Sequence, residues 1–275
     1  MNLEDIKEFK IKHNSDIFFD FDTKKLNWFN IGGKSKVFFK PKNLKELKEF
    51  LVLYSNRGKI FILGLGSNVL FSDKIYNGVI IKLSNNFSSV SKLKNDTIIA
   101  GSSCSQKKVS IFAMENNISG FEFMYCIPGS IGGGIKMNSG CFGAEFKDKI
   151  VSIQCLDTEG NIRILPANKI KFNYRNAELS ENLIFLSATF KGNLSEKYKI
   201  KLSMEDLHKK KYDSQPSKIK TGGSTFKNPI DQTNKKVWQL IKESVPLEKS
   251  FGDASISEKH CNFFVNKGNA KFEDM

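Results

Sequence analysis

A chain of 275 residues with 40% hydrophobic and 26% charged residues has an ordinary globular composition and is long enough for about two or three domains. No apolar run approaches the roughly 20 residues that span a bilayer, and the charged first residues lack the apolar stretch of a secretory signal. The sequence therefore predicts a cytoplasmic protein without a membrane partner.

The net charge of +14 does not by itself predict a nucleic-acid-binding protein. Of the 43 basic residues only Arg57, Arg163 and Arg175 are arginines, and the lysines are scattered among Asn, Ile and Phe. Nucleic-acid binders are marked by basic patches and not by total charge. We therefore expect a lysine-rich, solvated surface and no nucleic-acid partner, with a charge that could attract an anionic nucleotide substrate.

The cysteines and histidines predict neither a disulfide framework nor a metal site. The 5 cysteines are odd in number and none lies in a C-x-x-C motif, while the 3 histidines are far apart. We expect no metal.

The first expected domain, residues 1–58, contains one clear helix. Asn43 is a plausible N-cap, and the helix should stop near Asn56–Gly58. Apolar residues recur at helical spacing at Leu44, Leu47, Phe50, Leu51 and Tyr54.

The second expected domain, residues 59–193, is rich in short apolar strands. We expect a helix over 107–117 and a hairpin-type turn at Thr158–Asn161 with Glu-Gly at its centre. The expected strands are 59–63, 78–83, 97–101, 150–157, 161–166 and 183–192.

The third expected domain, residues 194–275, begins with a basic amphipathic helix over 195–211. Its apolar face carries Ile200, Met204 and Leu207. A second helix should lie around 235–244. This order of strands and helices predicts an α+β fold and not a repeating βαβ pattern.

Residues 127–143, IPGSIGGGIKMNSGCFG, are unusually rich in glycine. Ordered glycine costs conformational entropy, so such a segment indicates tight turns or a close approach to another group. Two interpretations stay open, a plain surface loop or a nest of backbone N–H groups that binds an anion such as phosphate. The glycines are Gly129, Gly132, Gly133, Gly134, Gly140 and Gly143.

A second glycine segment follows the strand at 59–63 directly. It is not a dinucleotide fingerprint of the Rossmann type, because the third glycine is missing. Together with residues 127–143 it predicts a two-loop cradle for a dinucleotide such as a flavin. Backbone N–H donors of the two loops would hold the diphosphate of this cofactor. The segment reads Gly64-Leu65-Gly66-Ser67-Asn68.

These segments belong to a set of motifs that resembles the UDP-N-acetylenolpyruvoylglucosamine reductase family over almost the whole chain. The motifs occur in the family's order and at its approximate spacing. They are NIGGK at 30–34, LGLGSNVLFSD at 63–73, IPGSIGGGIKMNSGCFG at 127–143, FNYR at 172–175, GGSTFKNP at 222–229 and KHCNFFVN at 259–266. The resemblance implies a two-subdomain FAD-binding fold of the vanillyl-alcohol-oxidase (PCMH) type, followed by an α+β substrate domain.

The resemblance also implies the reaction and its cofactors. The expected activity is NADPH-dependent reduction of the enolpyruvyl ether of a UDP-sugar to UDP-N-acetylmuramate, through non-covalently bound FAD, in peptidoglycan precursor synthesis. The absence of a histidine between His13 and His208 argues against covalent flavin attachment. The implied cofactor-binding residues are Gly64, Leu65, Gly66, Ser67, Asn68, Gly129, Ser130, Gly132 and Gly133.

Two residues match the family's catalytic positions. Arg175 corresponds to an arginine that stabilises charge developing on the substrate carboxylate, and Ser224 to a serine that donates a proton. By the same resemblance Asn228 would contact the substrate, and Lys211 is a weaker substrate-binding candidate. His260 is expected to have a structural or peripheral role.

The sequence departs from the family pattern at two places. Ala177 stands where the family usually carries a serine two residues after the arginine. The family chain also continues beyond the position of Met275 to a glutamate assigned to its active site, so we expect flavin binding to survive better than turnover.

Two alternative functions use the same observations differently. The first is another oxidoreductase of the same flavin fold, which the GGSTFKNP motif disfavours. The second is a non-catalytic polyanion-binding protein, which would show steeply salt-dependent binding but leaves both glycine segments unexplained.

Overall fold

The computed structural model describes residues 3–55 and 57–275, which form helices and strands in mixed order. The α-helices are α1 (Leu3–His13), α2 (Leu44–Tyr54), α3 (Gln106–Glu115), α4 (Ile131–Lys136), α5 (Lys197–Ser214) and α6 (Val237–Ser244). The strands are β1 (Ile17–Asp22), β2 (Lys34–Phe39), β3 (Lys59–Ile62), β4 (Tyr76–Ile81), β5 (Val90–Lys94), β6 (Thr97–Gly101), β7 (Ile118–Ser119), β8 (Gly140–Cys141), β9 (Ala144–Glu145), β10 (Ile150–Leu156), β11 (Ile162–Pro166), β12 (Lys171–Asn173), β13 (Asn176–Glu178), β14 (Ile184–Lys191), β15 (Asn193–Leu194), β16 (Ser250–Phe251), β17 (Ala254–Ile256) and β18 (Phe264–Asn266).

Contacts between residues divide the described chain into two compact units. Unit 1 comprises the described residues of Met1–Phe19, Val37–Leu65 and Asn77–His208. Unit 2 comprises Asp20–Lys36, Gly66–Tyr76 and Lys209–Met275. The three domains expected from the sequence, with boundaries at residues 58 and 193, stay a prediction.

In unit 1, β3 and β4 pair in parallel, with Ile62 opposite Ile81. The backbone N–H of Leu63 donates to the carbonyl of Ile81, which continues the pairing past the end of β3. Gly64 therefore lies where these parallel strands end, the edge of a sheet at which ligands often bind in α/β folds.

Helix α2 confirms its predicted start. The Asn43 side chain accepts a hydrogen bond from the Glu46 N–H at 2.9 Å, which satisfies one of the unpaired donors of the first turn. The helix ends at Tyr54, and Asn56 of the expected stop lies outside the described residues.

Unit 1 also contains an antiparallel sheet in the order β11-β10-β14-β6-β5. The predicted turn at 158–161 joins β10 and β11, with Gly160 at φ 85°. Asp157 holds this turn because its carboxylate accepts from the backbone N–H of Asn161 at 2.8 Å. This hydrogen bond, and a further one from the Arg163 side chain, lower the pKa of Asp157.

Two hydrophobic clusters form the core of unit 1. One packs helix α3 and the glycine-rich segment against the antiparallel sheet, with Phe146 and Phe190 in edge-to-face contact. The other surrounds Phe50 and Phe39 under helices α1 and α2. Both clusters consist of buried side chains, and such closely packed interiors hold the backbone segments around them in place.

Unit 2 contains helix α6 and the sheet β16-β17-β18. Its small buried cluster includes Phe29, Ile31, Ala254 and Ala270. Here the predicted helix around 235–244 is observed as α6. The helix predicted over 195–211 is observed as α5, with Ile200 and Met204 buried as expected.

Two sequence expectations require correction. Residues 127–143 are neither a loop nor an open nest throughout, because Ile131–Lys136 form helix α4 and residues 140–145 form the β8–β9 hairpin. Strands β1 and β2 were not predicted, since neither shows the regular alternation of apolar and polar residues that marks a strand.

Within residues 3–55 and 57–275, no helix is long and apolar enough to cross a membrane. The same residues contain no group of three or more histidine, cysteine or acidic side chains that could hold a metal ion.

Candidate functional site

Ser130 is the organising residue of the glycine-rich segment. It is buried, has an extended backbone and accepts a hydrogen bond from the Gly133 N–H through its Oγ at 3.2 Å. This is the N-cap arrangement, and a serine at such a position stabilises a helix by about 1 kcal/mol. The cap explains why a helix begins here despite three successive glycines.

The backbone N–H groups at the start of α4 are already paired within the protein. Ile131 donates to the Cys104 carbonyl and Gly132 to the Ser102 carbonyl, both at 2.8 Å. Gly134 donates to the carbonyl of Ser130 at 2.9 Å. The sequence predicted that several N–H groups here donate to a phosphate, but these groups already have acceptors within the protein. A cofactor could therefore contact Gly132 or Gly133 only by approaching their backbone closely.

The two predicted cofactor segments meet in unit 1. A Cβ built on Gly64 would lie 2.5 Å from the Ser130 Oγ, too close for any side chain. Gly64 is thus a glycine because the end of β3 passes directly against the N-cap of α4. This brings together two of the residues predicted to bind the cofactor.

Gly66, in unit 2, is constrained in a different way. Its φ of +73° is unfavourable for other residues, and a Cβ there would overlap the Leu26 carbonyl oxygen. Its own carbonyl accepts from the Trp28 N–H at 3.0 Å. Leu65, Ser67, Asn68 and Gly129 stay predicted cofactor contacts.

The glycines of α4 differ in how much space surrounds them, which gives a stability prediction. In Gly134→Ala the new methyl group would overlap the ring of buried Phe146, so we expect a loss of about 1–3 kcal/mol in the free energy of unfolding. In Gly133→Ala the nearest atom is the Ser130 Oγ at 3.4 Å, so higher helix propensity should leave stability unchanged or raise it by up to about 1 kcal/mol. Urea unfolding of both FAD-free variants measures the difference, and equal stabilities would contradict the packing role of Gly134.

Arg175 is held by the β8–β9 hairpin, which begins in the same glycine-rich segment. Its Nη2 donates to the Gly140 carbonyl at 2.6 Å, and its Nη1 lies 3.3 Å from Oε1 of Glu145. The backbone of Arg175 has φ 54°, a left-handed conformation that is uncommon for a residue with a side chain. Its guanidinium lies 5.0 Å from the centre of the Tyr174 ring. The structure thus places the predicted catalytic arginine beside the glycine-rich segment.

The polar residues that support Arg175 were not predicted from the sequence. Glu145 accepts from Arg175 and also from the Asn138 Nδ2 at 2.9 Å. Asn138 is fully buried and lies within the glycine-rich motif, so its position in that motif was the available signal. Glu145 lies two residues beyond the motif, and nothing in the local sequence distinguishes it from a surface glutamate.

Ser224 lies in unit 2 on an exposed stretch that is anchored by one buried asparagine. The backbone carbonyl of Asn262 accepts from the Thr225 N–H at 2.8 Å. The Asn262 side chain accepts from the Phe226 N–H at 3.0 Å and donates to the Phe226 carbonyl at 2.9 Å. Asn262 is only 3% exposed. It therefore fixes the backbone immediately after Ser224, a supporting role that the sequence analysis did not assign.

The other two predicted substrate residues also belong to unit 2. The Asn228 Oδ1 accepts from the Val237 N–H at 3.0 Å, so this amide holds the first turn of α6. Lys211 is half-buried in the last turn of α5. Their contacts with substrate stay predictions.

His260 is placed for a structural role. Its Nδ1 accepts a hydrogen bond from the Asn262 N–H at 3.2 Å, and its ring packs on Phe263. Burial lowers the pKa of His260 below the usual histidine range, which favours the neutral ring that this hydrogen bond requires.

The fold and these residues define a flavoprotein. A model of the FAD-binding domain matches residues 35–165, and a model of the C-terminal domain of UDP-N-acetylenolpyruvoylglucosamine reductase matches residues 215–275. The chain belongs to the UDP-N-acetylenolpyruvoylglucosamine reductase family. The predicted α+β fold class, the FAD-binding domain followed by a further domain and the oxidoreductase class are thereby confirmed.

Similar proteins match over most of their length. The Pelagibacter ubique (strain HTCC1062) UDP-N-acetylenolpyruvoylglucosamine reductase is 59% identical over 100% of this chain and 91% of its own. The Rickettsia massiliae (strain Mtu5) reductase is 42% identical over 93% of this chain and 85% of its own. The crystal structure of the Thermus caldophilus enzyme superimposes with a TM-score of 0.81 at 26% identity, covering 94% of this chain and 91% of that one.

Proposed function

We propose that the chain reduces the enolpyruvyl ether of UDP-N-acetylglucosamine enolpyruvate to UDP-N-acetylmuramate, a peptidoglycan precursor, with NADPH as reductant. Similarity to reductases over the whole chain supports the reaction, and the FAD-binding domain supports the cofactor. The proposal includes a cytoplasmic location, a UDP-sugar as substrate and no nucleic-acid or membrane partner.

The residues of the two glycine segments fit an FAD molecule. Gly64 packs directly against Ser130, so the two segments predicted to bind the cofactor lie side by side. When bound, FAD supplies the hydride that adds to the terminal enolpyruvyl carbon. In this proposal the cofactor is held without a covalent bond by Gly64, Leu65, Gly66, Ser67, Asn68, Gly129, Ser130, Gly132 and Gly133.

Arg175 would stabilise the charge that develops on the substrate. Hydride addition leaves negative charge on the neighbouring carbon, and the attached carboxylate takes up part of it. The guanidinium is a permanent cation with several N–H donors in a fixed plane, which suits a carboxylate. Its anchoring by the glycine-rich segment carries the proposal, because the segment predicted to bind cofactor also holds the residue predicted to act on substrate.

Ser224 would complete the reaction by giving the proton of its Oγ to the carbon next to the carboxylate. A serine hydroxyl is a weak acid, so this step needs a strongly basic acceptor and a fixed geometry. The hydrogen bonds of Asn262 hold the backbone after Ser224 and supply part of that rigidity. Asn228 and Lys211 would contact the UDP-sugar.

The direct test is the visible spectrum of the purified protein, followed by anaerobic turnover. The proposal expects a yellow protein, or an FAD-free protein that binds added FAD and then oxidises NADPH only when UDP-N-acetylglucosamine enolpyruvate is present. A protein that neither contains flavin nor can be reconstituted with it would overturn the assignment. Rapid NADPH oxidation by other substrates, with none by this one, would favour another flavin oxidoreductase.

Gly64→Ala should weaken FAD binding. The new methyl group would lie 2.5 Å from the Ser130 Oγ, so the hydroxyl would have to turn away from the Gly133 N–H that it caps, or the end of β3 would have to shift. We expect the Kd for FAD to rise by about tenfold or more, an effect of about 1.4 kcal/mol. Fluorescence titration of the FAD-free protein measures it.

The matched control removes the atom that Gly64→Ala would strike. Ser130→Ala should itself cost about 1 kcal/mol of stability through the lost cap. In the double variant, however, the loss of FAD affinity caused by Gly64→Ala should be smaller than in the single variant. Wild-type affinity in Gly64→Ala would show that the contact does not shape the cofactor site.

A further inference from the structure

We propose that Glu145 is a positioning residue, which orients the Arg175 guanidinium toward the substrate carboxylate and is itself held by Asn138 and Lys147. The inference rests on the proposed function, since it assumes that Arg175 acts on the substrate. Glu145 need not touch substrate or cofactor to have this role.

The first observation is that the guanidinium is fixed at both of its terminal nitrogens. Nη2 donates to the Gly140 carbonyl at 2.6 Å, and Nη1 lies 3.3 Å from Oε1 of Glu145. Gly140 and Glu145 are paired across the β8–β9 hairpin, so both acceptors belong to one short piece of structure. Because a guanidinium is planar, two such anchors define its orientation, and its other N–H donors can meet a carboxylate.

The second observation is that Glu145 is itself tightly positioned. Its Oε2 accepts from the Asn138 Nδ2 at 2.9 Å and from the Lys147 Nζ at 3.0 Å. The Glu145 side chain is only 18% exposed, and the hydrogen bond raises the pKa of Lys147. With its Oε2 held by the buried Asn138 amide and by Lys147, this carboxylate has little freedom to rotate.

Asn138 connects this cluster to the chain segment that carries Arg175. Its side chain is fully buried, and its Nδ2 also donates to the Asn173 carbonyl at 3.0 Å, two residues before the arginine. Its Oδ1 accepts from the Lys147 N–H at 3.0 Å. The backbone before Arg175 and the carboxylate that holds its head group are therefore positioned by the same buried amide.

The cluster contains two cations, Arg175 and Lys147, and two carboxylates, Glu145 and Asp148, and Glu145 is shared between both cations. Lys147 offsets the charge of Glu145, while Asp148 accepts from the Glu145 N–H at 2.8 Å and lies near Lys147. Glu145 is thus not a dedicated counter-ion for Arg175. Its contribution is the direction of the guanidinium.

The test compares Glu145→Ala and Glu145→Gln in the Arg175 and Arg175→Gln backgrounds. Dithionite-reduced holoprotein is mixed with UDP-N-acetylglucosamine enolpyruvate, and flavin reoxidation is followed by its absorbance. With Arg175 present, Glu145→Ala should slow this step by roughly tenfold to a hundredfold, the scale of a misplaced catalytic group. Glu145→Gln should lose less, because its amide oxygen can still accept one of the two sets of hydrogen bonds.

The Arg175→Gln background separates positioning from a general structural effect. If Glu145 acts through Arg175, its replacement should cause little further loss once the guanidinium is gone. Equal losses in both backgrounds would overturn the inference. Glu196→Ala is the control, since Glu196 is an exposed glutamate of the same unit that pairs with Lys199, and it should reoxidise at the wild-type rate.

Ligand binding gives a readout that does not depend on turnover. By calorimetry on the oxidised holoprotein, Glu145→Ala should bind the enolpyruvyl substrate several-fold more weakly but UDP-N-acetylglucosamine, which lacks the carboxylate, with unchanged affinity. Equal weakening of both ligands would also overturn the inference. A wild-type rate in the single variant Arg175→Gln would contradict the proposed role of Arg175. A wild-type rate in the Glu145 variants, together with a reduced rate in Arg175→Gln, would contradict only the role of Glu145.

Discussion

Replacing Arg175 with glutamine is expected to slow substrate-dependent flavin reoxidation by about a hundredfold to a thousandfold, the usual cost of removing one donor that stabilises developing negative charge. Glutamine keeps a hydrogen-bond donor but loses the permanent cation and the two-pronged geometry. Stopped-flow absorbance of the pre-reduced holoprotein measures the rate, and fluorescence titration should give an unchanged Kd for FAD.

Arg163→Gln is the matched control for this variant. Arg163 is another of the chain's three arginines, lies in the same unit and pairs with Asp157 at the turn between β10 and β11. Its side chain is 58% exposed, so its replacement should leave both the reoxidation rate and FAD binding unchanged. Equal losses in the two variants would assign the effect to stability or overall charge and not to a role of Arg175 in the reaction.

Ser224→Ala is expected to reduce turnover by about a hundredfold to ten-thousandfold, because it removes the proposed proton donor. The main chain around residue 224 should be retained, since the hydrogen bonds of Asn262 go to Thr225 and Phe226. Steady-state NADPH oxidation measures the loss, and FAD affinity should not change.

Two further variants sharpen the Ser224 prediction. Ser224→Cys places another proton-bearing group at the same position and should retain more activity than Ser224→Ala. Ser217→Ala changes an exposed serine in the same unit and should have no effect. If Ser224→Ala turns over at the wild-type rate, the proton must come from another group.

The local elements of this fold could be predicted because their causes lie close together in the chain. Asn43 and the apolar spacing that follows define α2, and Glu-Gly defines the turn before β11. The glycine-rich segment shows the limit of such reasoning. Three successive glycines argue against a helix, yet α4 forms because Ser130 caps it and Phe146 packs against Gly134.

The candidate site divides in the same way. Arg175, Ser224 and the glycine segments could be found because family motifs are continuous stretches of sequence. The supporting roles of Glu145 and Asn262 could not, although Asn262 lies within the KHCNFFVN motif, because each acts on a partner 30 or 36 residues away through hydrogen bonds. No spacing rule connects such positions before the chain has folded.

The amino-acid sequence contained the family, the cofactor, the candidate catalytic residues and the secondary structure with strong local signals. Folding decided which atoms those residues can use: the N–H groups at the start of α4 pair inside the protein, Gly64 packs against Ser130, and Arg175 is anchored on the β8–β9 hairpin. The physical reason is that a sequence motif is a pattern of residue types within a short, continuous stretch of the chain. Hydrogen bonding and close packing instead depend on which distant segments meet.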